Sequence, residues 1–201
     1  MAAKEIVFSS AARAEIAALA GPAGIPVDAV ISCSFGSPYE GDADPAEVVA
    51  LASRLAHQGV SAVTFADTTG MATPRRIHDL VDVLGLGAGA GSAGSEPWRA
   101  TVGLHLHDTR GTALANALTA LERGITRFDT AVGGLGGSPF AHGAGGNLAT
   151  ETLVATLDDL GVTTGIDIDD LVAAALLVED LVGRPVPSGV AHHGPRLASP
   201  T

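Results

Sequence analysis

Aromatic side chains are scarce here. One Trp, one Tyr and five Phe make up 3% of 201 residues, so a core has to come from small and branched aliphatic side chains with close backbone approaches. Cys33 is the only cysteine. No internal disulfide can form, which points to a reducing compartment. Basic residues are also few. Eleven Lys+Arg stand against 22 Asp+Glu, a formal net charge of −11. So acidic a chain repels phosphate backbones, which argues against nucleic acid as a partner. No apolar run reaches the ~18 residues of a membrane span, so no membrane partner is expected. The opening stretch MAAKEIVFSS has no basic region ahead of an apolar core. No secretory signal is read, and the cytoplasm is the expected location.

What is present is globular in kind. Hydrophobic residues are 46% and charged residues 16%, and the length allows one domain with a sizeable core. Short apolar runs alternate with helical patterns. Glu5–Phe8, Val27–Phe35, Ser61–Ala66, Thr101–His107 and Arg127–Val132 read as strands. Their near-continuous apolar character suits parallel strands covered on both faces. Asp44-Pro45 opens a helix that stops at Gly59, and Thr73-Pro74 opens one that ends near Gly85. Gly111–Arg123, Leu148–Leu160 and Ile168–Val182 read as three more, the last capped by Asp167 and stopped by Gly183 and Pro185. Strand–helix alternation at this spacing predicts an α/β fold of βαβ units. About five strands fall short of the eight that close a barrel. Residues 1–186 read as one partial-barrel domain. Gly85–Pro97 is a flexible Gly/Ala/Ser insertion, and Ser10–Gly24 has room for only a short helix. Pro187–Thr201 reads as a mobile tail in which His192 and His193 are solvated.

Three constellations carry chemistry. In His105-Leu106-His107-Asp108 the period of two puts both imidazoles on one face at the C-terminal end of a strand. That is where parallel folds place their sites, and two imidazoles there can grip a divalent metal. Ordinary hydrogen-bonded histidines would look the same. Gly133–Asn147 has seven glycines in fifteen residues, so it can approach a ligand closely or move as a lid. Asn147 either caps the next helix or offers its amide oxygen to a cation. Asp67 follows a strand; it could bind a substrate hydroxyl, act as a base, or start a turn. Neither a dinucleotide fingerprint nor a P-loop is present.

SCSFGSPYEG, FADTTGMATP, GLHLHDTRGTALANALTALERGI, DTAVGGLGGSPFAHGAGGNLATE and LDDLGVTTGID resemble, in order and near-spacing, the 3-hydroxy-3-methylglutaryl-CoA lyases. The match runs from Ala3 to about Pro187. The resemblance implies a partial (β/α)8 TIM barrel whose strands are the family's fourth to eighth, with outer helices. It implies a divalent cation, Mg²⁺ or Mn²⁺, on His105, His107 and Asn147. Asp67 and Glu151 become active-site carboxylates, and Gly136 and Gly137 become part of the substrate-binding loop. The implied substrate is an acyl-CoA. It would be cleaved by metal-assisted retro-aldol or Claisen-type chemistry to acetyl-CoA and acetoacetate, a reaction of leucine degradation and ketone-body metabolism.

Two departures set the expectations. Where the family loop reads GLGGCP, this chain has Ser138. A thiol ionises near pH ~8.5 and can shuttle protons near neutrality, whereas an unactivated hydroxyl cannot easily do so. The family's first three strands, with an Arg-Asp pair that supplies a metal ligand, have no counterpart. The expected site is therefore weak. The open barrel edges would be covered by a second copy or a partner chain. A truncated, non-catalytic remnant is the competing expectation.

Overall fold

The computed structural model describes residues 10–86, 101–137 and 145–196. Four parallel strands form one sheet in the order of the chain: β1 (Asp28–Ile31), β2 (Ala62–Asp67), β3 (Thr101–Leu106) and β4 (Arg127–Asp129). Helix α1 (Ser10–Ala20) precedes them. Helices α2 (Pro45–His57), α3 (Pro74–Leu84) and α4 (Ala113–Glu122) make the crossovers, and α5 (Thr150–Asp159), α6 (Ile168–Val182) and α7 (Gly189–His193) follow. This is an α/β fold, an arc of the expected barrel. Among the described residues no helix is long and apolar enough to cross a membrane.

Local chemistry explains the helix boundaries. The Asp44 carboxylate accepts the Ala46 N–H at 2.8 Å ahead of Pro45. Thr73 Oγ1 accepts the Arg76 N–H ahead of Pro74. Asp167 accepts the N–H groups of Asp169 and Asp170. Gly85 and Gly183 end their helices in the left-handed region, where a side chain would be strained. Ile77, Leu80, Val81 and Leu84 recur at helical spacing on α3 and are all buried.

The register separates the two faces of the sheet. Val63 pairs with Val102, Phe65 with Leu104 and Asp67 with Leu106. Val63, Phe65, Val102, Leu104 and Leu106 join Val48, Ala52, Leu55, Ile77 and Leu80 in the main core between sheet and helices. The opposite face carries Asp28, Thr64, Gly103, His105, Arg127 and Asp129. There the Arg127 guanidinium lies across three strands. It donates to Thr64 Oγ1 at 3.0 Å and pairs with Asp28. A Cβ on Gly103 would sit 2.9 Å from Arg127 Nη1, so the bare glycine gives the arginine its path.

Several expectations need correction. β1 stops at Ile31 rather than Phe35, because the Ser34 hydroxyl returns to the Ile31 carbonyl at 2.7 Å and Cys33 turns to φ +52°. Cys33 is thus a half-buried turn residue, not a strand residue. β4 stops at Asp129, followed by a 3-10 turn at Val132–Gly134. Helix α5 begins at Thr150 rather than Leu148, because the Leu148 carbonyl, which would accept a helical hydrogen bond, is taken by the Ala131 N–H. The helix expected within Ser10–Gly24 is present and spans eleven residues. Residues of the expected mobile tail fold back as α7. Ser188 Oγ accepts the Ala191 N–H, Ala191 is buried, and His192 meets the Val186 carbonyl and Glu179. The expected strand Glu5–Phe8, and most of the 85–97 insertion, lie outside the described residues.

Candidate metal and active site

His105, next to last in β3, is half-buried on the open face of the sheet, and His107, just past the strand, is only 4% exposed. Their ring centroids are 5.2 Å apart and their planes are inclined at 63°. The Nδ1 atom of His107 is 3.1 Å from the Gly145 carbonyl. A carbonyl can only accept, so Nδ1 carries a proton, and in the neutral ring it is Nε2 that offers a lone pair. Burial, and then the neighbouring His107, lower the pKa of His105; Asp129 and the nearby Asn147 oppose this more weakly. The neutral ring, the form that binds a cation, is therefore favoured.

The third group arrives from forty residues further on. The segment after the glycine-rich loop laces between the ends of β3 and β4. Asp108 N–H bonds to Gly146 O, Leu148 N–H to Leu106 O, and Ala131 N–H to Leu148 O. This brings Asn147 alongside His107 in an antiparallel bridge. Asn147 Nδ2 donates to the Leu135 carbonyl at 2.9 Å, which fixes the amide and turns Oδ1 the other way. That oxygen is buried and has no hydrogen-bond partner. Although Asn147 lies close enough to His105 to influence it, no well-aligned hydrogen bond joins them. Asn147 caps no helix; α5 starts three residues later behind Ala149. Gly136, at φ +113°, makes the arrangement fit, since a Cβ there would meet Asn147 Nδ2 at 2.4 Å.

Two imidazoles and an orphaned amide oxygen fit three positions around a divalent cation, with a buried oxygen that nothing else satisfies. Among the described residues no three His, Cys, Asp or Glu side chains converge, so this set contains no carboxylate. Its nitrogen-rich character favours Mn²⁺ over Mg²⁺, which prefers oxygen.

The two carboxylates have other tasks. Asp67, 1% exposed, stands in register with Leu106 rather than on the His105 face. Its Oδ1 accepts the N–H groups of Met71 and Ala72 at 2.7 and 2.9 Å. Its Oδ2 is buried and unpartnered. Burial raises its pKa, against the two backbone hydrogen bonds, His107 and Arg110. Glu151 is fully buried on α5 and accepts the Gly133 N–H at 3.1 Å, while its Oε1 lacks a partner. Gly136 and Gly137 are exposed at the loop's entry. Ser138 lies outside the described residues. Burial pushes the Cys33 thiol up, away from the reactive thiolate.

Three contributors were not singled out from the sequence. The carbonyls of Gly145 and Leu135 orient His107 and Asn147, and backbone groups leave no signature in residue type. Asp129 stands beside His105 in the register of β3 and β4. Its parity within RFD was the one available signal.

Fold and site together define a class: parallel α/β barrel proteins that gather His, His and Asn at the C-terminal edge of the sheet. Comparison with known proteins narrows this. Residues 5–178 match the HMGL-like family, and the chain belongs to that family. It is 39% identical over 166 residues to the hydroxymethylglutaryl-CoA lyase YngG of Bacillus subtilis, covering 83% of this chain and 52% of that protein. It is 41% identical over 172 residues to the (R)-citramalyl-CoA lyase of Chloroflexus aurantiacus, covering 86% and 51%. An HMG-CoA lyase structure from Acinetobacter baumannii, in complex with coenzyme A and 3-methylmalate, superposes with a TM-score of 0.79 at 35% identity. That match covers 95% of this chain and 60% of the other. The chain spans about half the length of the curated relatives it matches.

Proposed function

We propose that this chain carries the His-His-Asn part of an acyl-CoA carbon–carbon lyase of the hydroxymethylglutaryl-CoA lyase kind. The observation that carries this is the buried, unpartnered Asn147 Oδ1 beside two imidazoles, one of them pinned in its cation-binding tautomer. His105, His107 and Asn147 would hold a divalent cation, Mn²⁺ or Mg²⁺. Bound there, it supplies Lewis acidity to the hydroxyl and carbonyl oxygens of a 3-hydroxyacyl-CoA.

In the reaction, the C3 hydroxyl loses its proton and the C2–C3 bond breaks. Its electron pair passes to C2 as the acetyl-CoA enolate, which is then protonated; C3 becomes the ketone of acetoacetate. Ser138, where the resemblance places the family cysteine, is the proposed proton-bearing residue at C2. The exposed backbone of Gly136 and Gly137 would lie along the substrate. Asp67 and Glu151 act as positioning carboxylates. Each spends one oxygen on backbone N–H groups, of the β2–α3 turn and of the 3-10 turn respectively.

The similarity to a citramalyl-CoA lyase motivates a second substrate. The cytoplasm is the proposed location. An oligomer or partner chain completing the barrel is the proposed assembly.

Two measurements test the reading: Mn²⁺ binding followed by electron paramagnetic resonance, and a coupled acetoacetate assay with Mn²⁺, using hydroxymethylglutaryl-CoA and, in parallel, citramalyl-CoA. The expected result is Mn²⁺ binding that His105→Ala abolishes, with slow turnover that Ser138→Cys raises. Robust turnover by the isolated chain would show that the carboxylate-free donor set is not weak. Absence of both binding and turnover would overturn the assignment.

A further inference from the structure

A second feature lies on the same edge of the sheet, outside the His-His-Asn cluster. A groove of about 380 Å³ opens between the loops that follow β1, β2 and β3, lined by Asp42, Met71, Thr73, Arg75, Arg76, Asp79 and Arg110. Three of the chain's eleven basic residues converge there, in a protein of net charge −11. Their roles differ. Arg76 is largely committed: Nη1 pairs with Asp42 at 2.6 Å and Nη2 donates to the Ala43 carbonyl at 2.6 Å, but Nε is buried without a partner. Arg110 is held by the Gly70 carbonyl through Nε and the Ala72 carbonyl through Nη2, at 2.9 and 3.0 Å. Its remaining amino group, Nη1, makes no hydrogen bond among the described residues. Arg75 meets Asp79 at only 3.4 Å through Nε, with its side chain 86% exposed, so both of its terminal nitrogens stay available.

A guanidinium fixed by two carbonyls is preorganised, and its unused donor can receive an oxyanion without further loss of side-chain freedom. The start of α3 between these arginines adds to the positive potential. Arg110 lies three residues beyond His107 on the same loop, so the groove borders the proposed reaction site without sharing its donors.

We infer that the groove binds a phosphate dianion, the one carried by the nucleotide end of the acyl-CoA; this rests on the acyl-CoA reading above. The experiment is calorimetric titration of the full chain with coenzyme A, adenosine 3′,5′-bisphosphate and inorganic pyrophosphate. It is repeated for Arg75→Gln and Arg110→Gln, with thermal midpoints recorded for each. Arg75 makes only an exposed contact, so its variant reports on the groove even if Arg110→Gln loosens the loop. The expected result is binding of coenzyme A and the bisphosphate that weakens roughly tenfold for each substitution, as loss of a charged hydrogen bond gives, with Mn²⁺ binding unchanged. Equal coenzyme A binding by wild type and variants would overturn the groove while leaving the lyase reading intact. Arginine-dependent binding of pyrophosphate without any of coenzyme A would overturn the assignment to the carrier. Binding of none of the three by wild type would overturn the groove altogether.

Discussion

Asp67 shows how one side chain divides its labour. One oxygen holds two backbone N–H groups of the β2–α3 turn, and the other is buried without a partner. Asp67→Asn can keep the accepting oxygen and remove the buried charge; Asp67→Ala removes both. At neutral pH the Asn variant is expected to be as stable as wild type or more so in urea unfolding. The Ala variant is expected to lose about 1–3 kcal/mol, with the buried Ala72 N–H left unsatisfied. The pH dependence has a definite sign. Because burial raises the folded pKa of Asp67 above the ordinary carboxylate value, its protonated form favours the fold at low pH. That favour is lost as pH rises from the unfolded value through the folded one. Stability of wild type relative to Asp67→Asn should fall across that window and then level off. If Asp67 instead exchanges protons with substrate, the Asn variant would keep its stability and lose turnover.

At the level of single elements, the loop between β4 and α5 carries the site. Gly136→Ala forces a Cβ to 2.4 Å from the Asn147 amide, at a φ of +113°. Mn²⁺ affinity is expected to drop at least tenfold while far-ultraviolet circular dichroism stays that of wild type; unchanged affinity would mean that Asn147 is not a donor. Helix boundaries were largely legible in the sequence, because Asp44-Pro45, Thr73-Pro74 and Asp167 are local signals whose hydrogen bonds close within three residues. The ends of β1 and β4 were not. Ser34 folding back on Ile31 is a hydroxyl-to-carbonyl contact that an apolar run does not announce, and Ala131 reaching the Leu148 carbonyl just past β4 is a tertiary choice. The His105–His107 pair was legible from strand parity and Asn147 from family resemblance, whereas the carbonyls that orient them had no residue-level signal. Of the readings open for Asp67, the turn-starting one is visible in its hydrogen bonds to Met71 and Ala72.

Across the whole molecule, the C-terminal segment matters more than its composition suggested. Val186 is 3% exposed and fills the space where a Gly133 side chain would stand, its Cγ1 2.7 Å from that Cβ position. Pro187 likewise approaches Gly134. The turn before α7 thus supports one side of the glycine-rich loop, while Glu151 supports the other. Val186→Ala is expected to destabilise the chain by about 2 kcal/mol, read as a lower thermal midpoint, and to weaken Mn²⁺ binding as well. A loss of stability with no change in Mn²⁺ affinity would show that this support ends at the loop's base.

The lacing of Asn147 between two strand ends also has a temporal consequence. His105 and His107 leave the ribosome about forty residues before Asn147, which the Leu148–Leu106 hydrogen bond holds beside His107. A cation held by all three groups would therefore report on chains in which residues 146–148 are docked against the end of β3.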